Sequence, residues 1–421
     1  MIRRRLLALA CLPSLSLLAC ASPSGSGGGG KGGSSATGGS TGSGGSSATG
    51  GATGSGGAGA GVGTAVGHPF PLGDKSASWA GNCMLTTVAN ASTQTQSAYS
   101  NWKSAYLVSG SPGQRVQRPE NGNDTVSEGI GYGMLAAVYM NDQTTFDLLL
   151  QYQQAHLDSK GLMNWHITSS GATASDGSYS ASDGDEDIAF AMLMASDQWA
   201  ATATYDYLAM GRTMIEAIKT YSLFSDGTLQ NGDNFNTSDT LNIDYFSPAY
   251  YRLFQKAIPD GGIFQFTVSQ GYKHLAAQSG TDGLVPDSSN LEDSTTCSTC
   301  KATYGYDACR TPWRIAMDWC WNAEPNAQTY LMKIGAFFNG VGASNIGDGY
   351  SLTGTKTSSN QNLAFSGPAG VGAMQGFQSL VDGSFNLMVS PPGGNSAYFP
   401  QSLRVLSMLM MSGNMVDYSK F

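Results

Sequence analysis

An all-α fold, built as a helical toroid or barrel with its chemistry in the loops, is predicted by three observations. Apolar residues recur at helical spacing in nine stretches, the joins between them are long and rich in Gly, Asn and Asp, and acids crowd the mouths of two of the helices.

The chain opens with Arg3, Arg4 and Arg5 before an apolar run from Leu6 to Ala19. This has the charged and hydrophobic parts of an export signal and is too short for a good membrane span. It ends Leu17-Leu18-Ala19-Cys20, which resembles the lipobox of bacterial lipoproteins and implies that Cys20 becomes the lipidated first residue. Ala19-Cys20-Ala21 also reads as an ordinary small-x-small cleavage site, which would release the protein instead. Residues 20–65 are almost entirely Gly, Ser, Ala and Thr from about Ser22 onward. They bury too little apolar surface to offset ordering entropy, so a flexible tether is expected. Residues 1–19 are therefore read as a lipoprotein signal, 20–65 as tether and 66–421 as one globular domain on the outer membrane or cell surface. That domain is expected to be a monomer held to the membrane by its N-terminal lipid.

A net charge of -9 and the lack of any Lys or Arg run from about residue 66 onward argue against duplex nucleic acid as a partner, because phosphate binding depends on clustered cations. Polar neutral ligands fit better. The chain shows no nicotinamide fingerprint, P-loop or HExxH motif, and its four histidines are scattered, so neither cofactor nor metal is expected. Outside the signal and Cys20 stand Cys83, Cys297, Cys300, Cys309 and Cys320. Export permits disulfides, five thiols leave at least one unpaired, and a lone CxxC is weak evidence for zinc. Two disulfides among the last four, or one that includes Cys83, are expected.

Helical periodicity is clearest over Tyr132 to Tyr139, Ile188 to Trp199, Tyr207 to Tyr221, Pro248 to Phe254 and Phe264 to Ala277. It recurs over Pro312 to Cys320, Ala327 to Phe338, Ala369 to Leu380 and Ser402 to Met411. The joins at Ser225 to Asp239 and Thr281 to Gly305 read as long loops. Trp102, Trp313, Trp319 and Trp321 read as core.

In ASDGDEDIAFAMLMASDQW, Asp183, Asp185, Glu186 and Asp187 precede a helical apolar stripe. Asp183 and Glu186 match a capping box, and first-turn acids suit the positive end of a helix. An EF-hand is excluded, because Ile188 and Met194 stand where Gly and Glu are needed. The arrangement recurs upstream in NDTVSEGIGYGMLAAVYM, where Glu128 opens another apolar helix.

Ser127 to Met134 and Ser182 to Ala189 together resemble the Ser-Glu-Gly-x-Gly-Tyr-Gly-Met and Ser/Thr-Asp-Gly/Ala-Asp-x-Asp-Ile-Ala stretches of glycoside hydrolase family 8. The resemblance runs from about Gly81 to the C-terminal helix and implies an (α/α)6 barrel with an open substrate cleft across one end. It places Glu128 at the family's general acid and Asp183 at the acid that holds the sugar in the central subsite, -1. Asp185, Glu186 and Asp187 are left to capping and loop structure. In YGYDACRTPWRIAMDW, Asp307 precedes Pro312, which suits a first helical turn, and Tyr306 to Arg310 resembles the segment that carries the general base. Asp307 is thus the expected base and Arg310 the cation that keeps a carboxylate ionised; an ion pair of Asp307 with Arg310 or Arg314 is the structural alternative. Trp165 falls where the family has a sugar platform. Tyr245 resembles the tyrosine of an Asn-Pro-Ser-Tyr-Phe-x-Pro stretch, from which this chain departs by having Ile243 and Asp244 in place of Pro and Ser. Gly283 to Asp287 is a further similar string, read as structural.

The expected activity is inverting, endo-acting hydrolysis of β-1,4-linked polysaccharide, cellulose-type or mixed-linkage glucan. A xylanase, a chitosanase or a non-catalytic polysaccharide-binding lipoprotein are the alternatives. An inverting reaction requires one carboxylic acid and one carboxylate base about 6.5–9.5 Å apart.

Overall fold

The segment SEGIGYGMLAAVY has no polar face, and a helix that is apolar all round is stable only when it is enclosed. In the computed structural model, which describes residues 83–417 except 200, 203 and 236–238, it forms helix α2 (Ser127–Tyr139), buried everywhere except at Glu128. The signal, Cys20, the tether and the expected boundary at residue 66 lie outside the described residues.

The other helices in chain order are α1 (Ala91–Tyr106), α3 (Gln143–Ala155), α4 (Ser182–Trp199), α5 (Tyr207–Tyr221), α6 (Pro248–Ala257) and α7 (Ile263–Gln278). They continue with α8 (Thr311–Asn322), α9 (Pro325–Val341), α10 (Leu363–Gly372), α11 (Gln378–Val389) and α12 (Tyr398–Met411). The even-numbered helices contact one another in cyclic order, α12 returning to α2, and each packs against an odd-numbered partner outside it. This is the (α/α)6 barrel.

Burial follows the ring. Every residue of α10 and all of α12 but Gln401 are enclosed. Outer helix α5 instead buries one stripe, Tyr207, Gly211, Met214, Ile215 and Ile218, and starts with the Asp206 carboxylate accepting the Ala209 N–H at 3.0 Å. Trp102, Trp313 and Trp321 are core, as expected, and Trp319 is partly buried. The nine expected stretches fall on helices, with one correction. Ala369 to Leu380 spans a break, because α10 ends at Gly372, a 3-10 turn follows and α11 starts at Gln378. Outer helices α1 and α3 were not anticipated.

Four short antiparallel pairs stiffen the loops: 107–109 with 114–116, 125–126 with 166–167, 240–241 with 289–290, and 303–304 with 350–351. The last three lie just before α2, α6 and α8, fixing the chain as it enters those inner helices.

The disulfides are Cys83–Cys320 and Cys297–Cys300, and Cys309 is a free, buried thiol. Of the two expected arrangements, the one that includes Cys83 is present, together with the short CxxC bridge. Among the described residues no helix is long and apolar enough to cross a membrane, and no three His, Cys, Asp or Glu are grouped to hold a metal.

Candidate active site

Outer-to-inner connections bring the opening residues of several inner helices to one end of the ring. Glu128 is the second residue of α2, Asp183 the second of α4 and Tyr398 the first of α12, while Asp307 and Arg310 lie in the turn before α8 and Asp244 and Tyr245 in the turn before α6. Each such helix directs the positive end of its dipole at this spot, which favours the gathering of carboxylates.

The gathering point is Arg310, whose side chain is only 2 % exposed. Its Nη1 donates to Glu128 Oε2 at 2.6 Å and to Asp183 Oδ2 at 2.7 Å. Its Nη2 lies 2.5 Å from Asp244 Oδ2 and 3.4 Å from Asp307 Oδ1. The guanidinium also sits 5.3 Å from the Tyr245 ring centre and 5.8 Å from that of Phe399, within cation-π range. Of these four carboxylate contacts, the one to Asp307 is the longest.

Exposure separates the carboxylates. The Glu128 and Asp307 side chains are 18 % and 24 % exposed and can meet a ligand, whereas Asp183 is 4 % exposed. Since Glu128 and Asp307 hold different nitrogens of one guanidinium, their nearest oxygens are at most roughly 8 Å apart, compatible with a pair separated by a water. Glu128 Oε1 also accepts from the Tyr398 hydroxyl at 2.9 Å. Burial is the main cause that raises the Glu128 carboxyl to about 7, with Asp183 adding and Arg310 opposing.

Why α2 and α4 deliver these acids side by side is a matter of glycine. A Cβ on Gly184 would lie 2.7 Å from the Ser127 carbonyl carbon and 2.8 Å from the Glu128 nitrogen, so only a bare backbone admits this approach.

The turn carrying Asp307 is held by Asp287, whose Oδ1 accepts the N–H groups of Gly305, Asp307 and Ala308 at 2.9, 3.1 and 2.9 Å. The structural reading of Gly283 to Asp287 thus acquires a specific task. Burial, reinforced by Asp307, raises the Asp287 carboxyl to about 7. Lys301 reaches within 3.9 Å of Asp307 from the loop bearing Cys297–Cys300.

Asp185, Glu186 and Asp187 are not capping residues, which corrects the expectation. All three are fully buried within α4. Asp185 accepts the Met163 N–H at 3.0 Å, Glu186 accepts the Tyr251 hydroxyl at 2.6 Å, and Asp187 takes both terminal nitrogens of Arg314. Arg314 therefore serves Asp187, not Asp307. Desolvation raises all three carboxyls.

Trp165 is tied to the site by its backbone, its carbonyl accepting the Ser127 N–H at 2.9 Å. Its indole N–H donates to the Asp176 carbonyl at 2.6 Å, and its ring lies 6.3 Å from that of Tyr179. Behind it His166 bridges Asp124 and Asp176 at 3.0 and 2.8 Å. Asp244, Asp287 and Tyr398 were missed as site residues. The signal available for Tyr398 was its place at a helix mouth, the position that Glu128 and Asp183 share.

The profile of "Glycosyl hydrolases family 8" matches residues 73–413. Endoglucanase C of Ruminiclostridium cellulolyticum is 34% identical over 363 residues, 82% of this chain and 76% of that one. The Beta-glucanase of Niallia circulans is 34% identical over 348 residues, covering 76% and 84%. Among solved structures, a Beta-1,3-1,4-glucanase from Paenibacillus sp. X4 superposes with a TM-score of 0.76 at 32% identity, over 82% of this chain and 98% of that one. A cold-adapted family 8 xylanase, 21% identical with a TM-score of 0.67, shares the fold over 78% and 92%. With the family profile covering most of its length, this chain belongs to the glycosyl hydrolases of family 8.

Proposed function

We propose that the protein cuts β-1,4-linked glucan, cellulose-type or mixed-linkage, within the chain and with inversion at the anomeric carbon. The observation that carries this reading is the seating of Glu128, Asp183 and Asp307 on one buried arginine, in a chain whose relatives of about one-third identity are glucanases.

In the proposed reaction Glu128 enters protonated, as a carboxyl raised to about 7 is through mildly acid pH. It gives that proton to the glycosidic oxygen as the C1–O bond breaks. Asp307 takes a proton from a water whose oxygen bonds C1 from the opposite face, so the product has inverted configuration. Asp183, nearly closed off and fastened to the same guanidinium as Glu128, holds the reacting sugar. Trp165 supplies an aromatic platform for a neighbouring sugar, and Tyr245 lines the site under Arg310.

The test is reducing-sugar release from carboxymethylcellulose, barley β-glucan, xylan and chitosan, with Glu128→Gln as control and NMR of fresh product. Glucan activity that disappears in the variant, with the α-anomer first, supports the proposal. Xylan or chitosan as the preferred substrate corrects the glycan, an initial β-anomer removes inversion, and glucan binding without hydrolysis leaves a binding protein.

For location, residues 1–19 and Cys20 support export with lipidation and residues 20–65 a spacer, holding a monomeric domain to the outer membrane or cell surface. Cys20→Ser should release the protein from the membrane fraction; an unchanged fraction would refute the anchor.

A further inference from the structure

Asp244 is a carboxylate that the hydrolytic chemistry does not use. It stands where the resembled stretch has Ser, in the 3-10 turn Ile243–Tyr245 that leads into α6. It is completely buried, so it touches neither substrate nor bulk water. Neither of its oxygens accepts an aligned hydrogen bond among the described residues, and its single cationic partner there is Arg310 Nη2 at 2.5 Å. The other charged groups that face it are all acids: Asp183 from α4, Asp307 from the turn before α8 and Asp287 from the loop behind that turn. A buried carboxylate so placed is tolerable only because of the arginine.

The same turn grips Arg310 a second time, because the Tyr245 ring lies under the guanidinium. A serine at 244 would bring neither the charge nor the reach.

We propose that Asp244 is a positioning residue for the proposed hydrolysis: by occupying the Nη2 side of Arg310 it aims Nη1 at Glu128 and Asp183 and limits how much of that one cation Glu128 receives. It acts through Arg310 and never meets the sugar. Desolvation pushes its own carboxyl well up, with Arg310 opposing and Asp307, Asp183 and Asp287 adding, so it titrates as part of the cluster.

This inference rests on the role given to Glu128, and the experiment separates the two. Full pH profiles of kcat and KM on barley β-glucan are measured for wild type, D244S and D244N, with thermal melts to confirm folding. In D244S the arginine is released toward Glu128, so the alkaline limb of kcat/KM should move to lower pH by about one unit, within the usual reach of a nearby opposite charge. D244N retains an oxygen that can reach Nη2 but not the charge, so it should move the limb the same way by a smaller, measurable amount. A merely structural role would scale the whole profile without moving its limb. An active wild type with an unmoved limb in D244S, or in D244N should D244S not fold, overturns the proposal. A wild type inactive on glucan, xylan and chitosan alike would instead be a failure of the functional reading.

Discussion

Glu128→Gln tests the acid and its environment together. Gln fills the same volume and can still receive Arg310 Nη1 and pair with the Tyr398 hydroxyl, but it has no proton to give. A positioned general acid contributes about 10²–10⁴-fold, so glucan hydrolysis should fall by that factor, on the order of 3–5 kcal/mol. An aryl cellobioside with a strongly acidic phenol needs no protonation on departure and should lose less than about tenfold. Stability should move the other way. The folded carboxyl at about 7 lies above its ordinary 4.5, so the native state keeps a proton that the unfolded chain releases. That contribution is complete below about 4.5 and disappears as pH rises through about 7, a span worth on the order of 3 kcal/mol. Gln carries no such dependence. The variant should therefore melt a few degrees above wild type at pH 8, with the gap closing by pH 5. Equal losses on both substrates, or no gain in melting temperature at pH 8, would refute the reasoning.

Three further variants probe how the site and its scaffold are held. Gly184→Ala puts a methyl group 2.6 Å from Ser127 Oγ and against the Glu128 backbone. It should cost about 1–3 kcal/mol and lower kcat more than it raises KM, and wild-type kcat would count against the close-packing argument. Arg314→Met leaves Asp187 buried without its cation and should lose about 3–5 kcal/mol in urea unfolding; a loss below 1 would show that the pair is dispensable. Replacing Cys83 and Cys320 with Ser opens a link of sequence separation 237. Some 2–5 kcal/mol of stability should go, with kcat of the folded protein intact, and an altered kcat would mean that the bond also shapes the cleft.

Apolar periodicity made helices legible on the outer α5, α7 and α9 as well as on the inner ring, while the barrel itself followed from the resemblance carried by SEGIGYGM and SDGDEDIA. Outer helix α1 was not read, since ASTQTQSAYSNWKSAY carries few apolar residues; α3 did carry a readable face, with Phe146, Leu149 and Leu150 at helical spacing. The break after Gly372 was hidden because apolar residues continue across it from Val371 to Met374. In the site, Glu128, Asp183 and Asp307 stood out through their local motifs. Asp244 and Tyr398 act through partners far along the chain: Tyr398 meets Glu128 across 270 positions, a separation at which periodicity carries no information. Asp185, Glu186 and Asp187 misled for a related reason. Local pattern gives acids at a helix start to capping, whereas the ring surrounds that start with Met163, Tyr251 and Arg314.

The Cys83–Cys320 bond also has a mechanical meaning. If Cys20 carries the proposed lipid, any tension that a polymer lodged in the cleft sends along the chain as far as Cys83 meets a covalent branch at that residue. Its sulfur is joined to the last turn of α8, the inner helix whose first turn follows Arg310. The tension between polymer and membrane would thus run along the axis of one enclosed helix, bypassing α1, which comes next in the chain and packs on the outside. Reduction of the bond would transfer that load to α1, and single-molecule stretching should then record an early unfolding step at lower force. Equal forces before and after reduction would show that the bond carries no load.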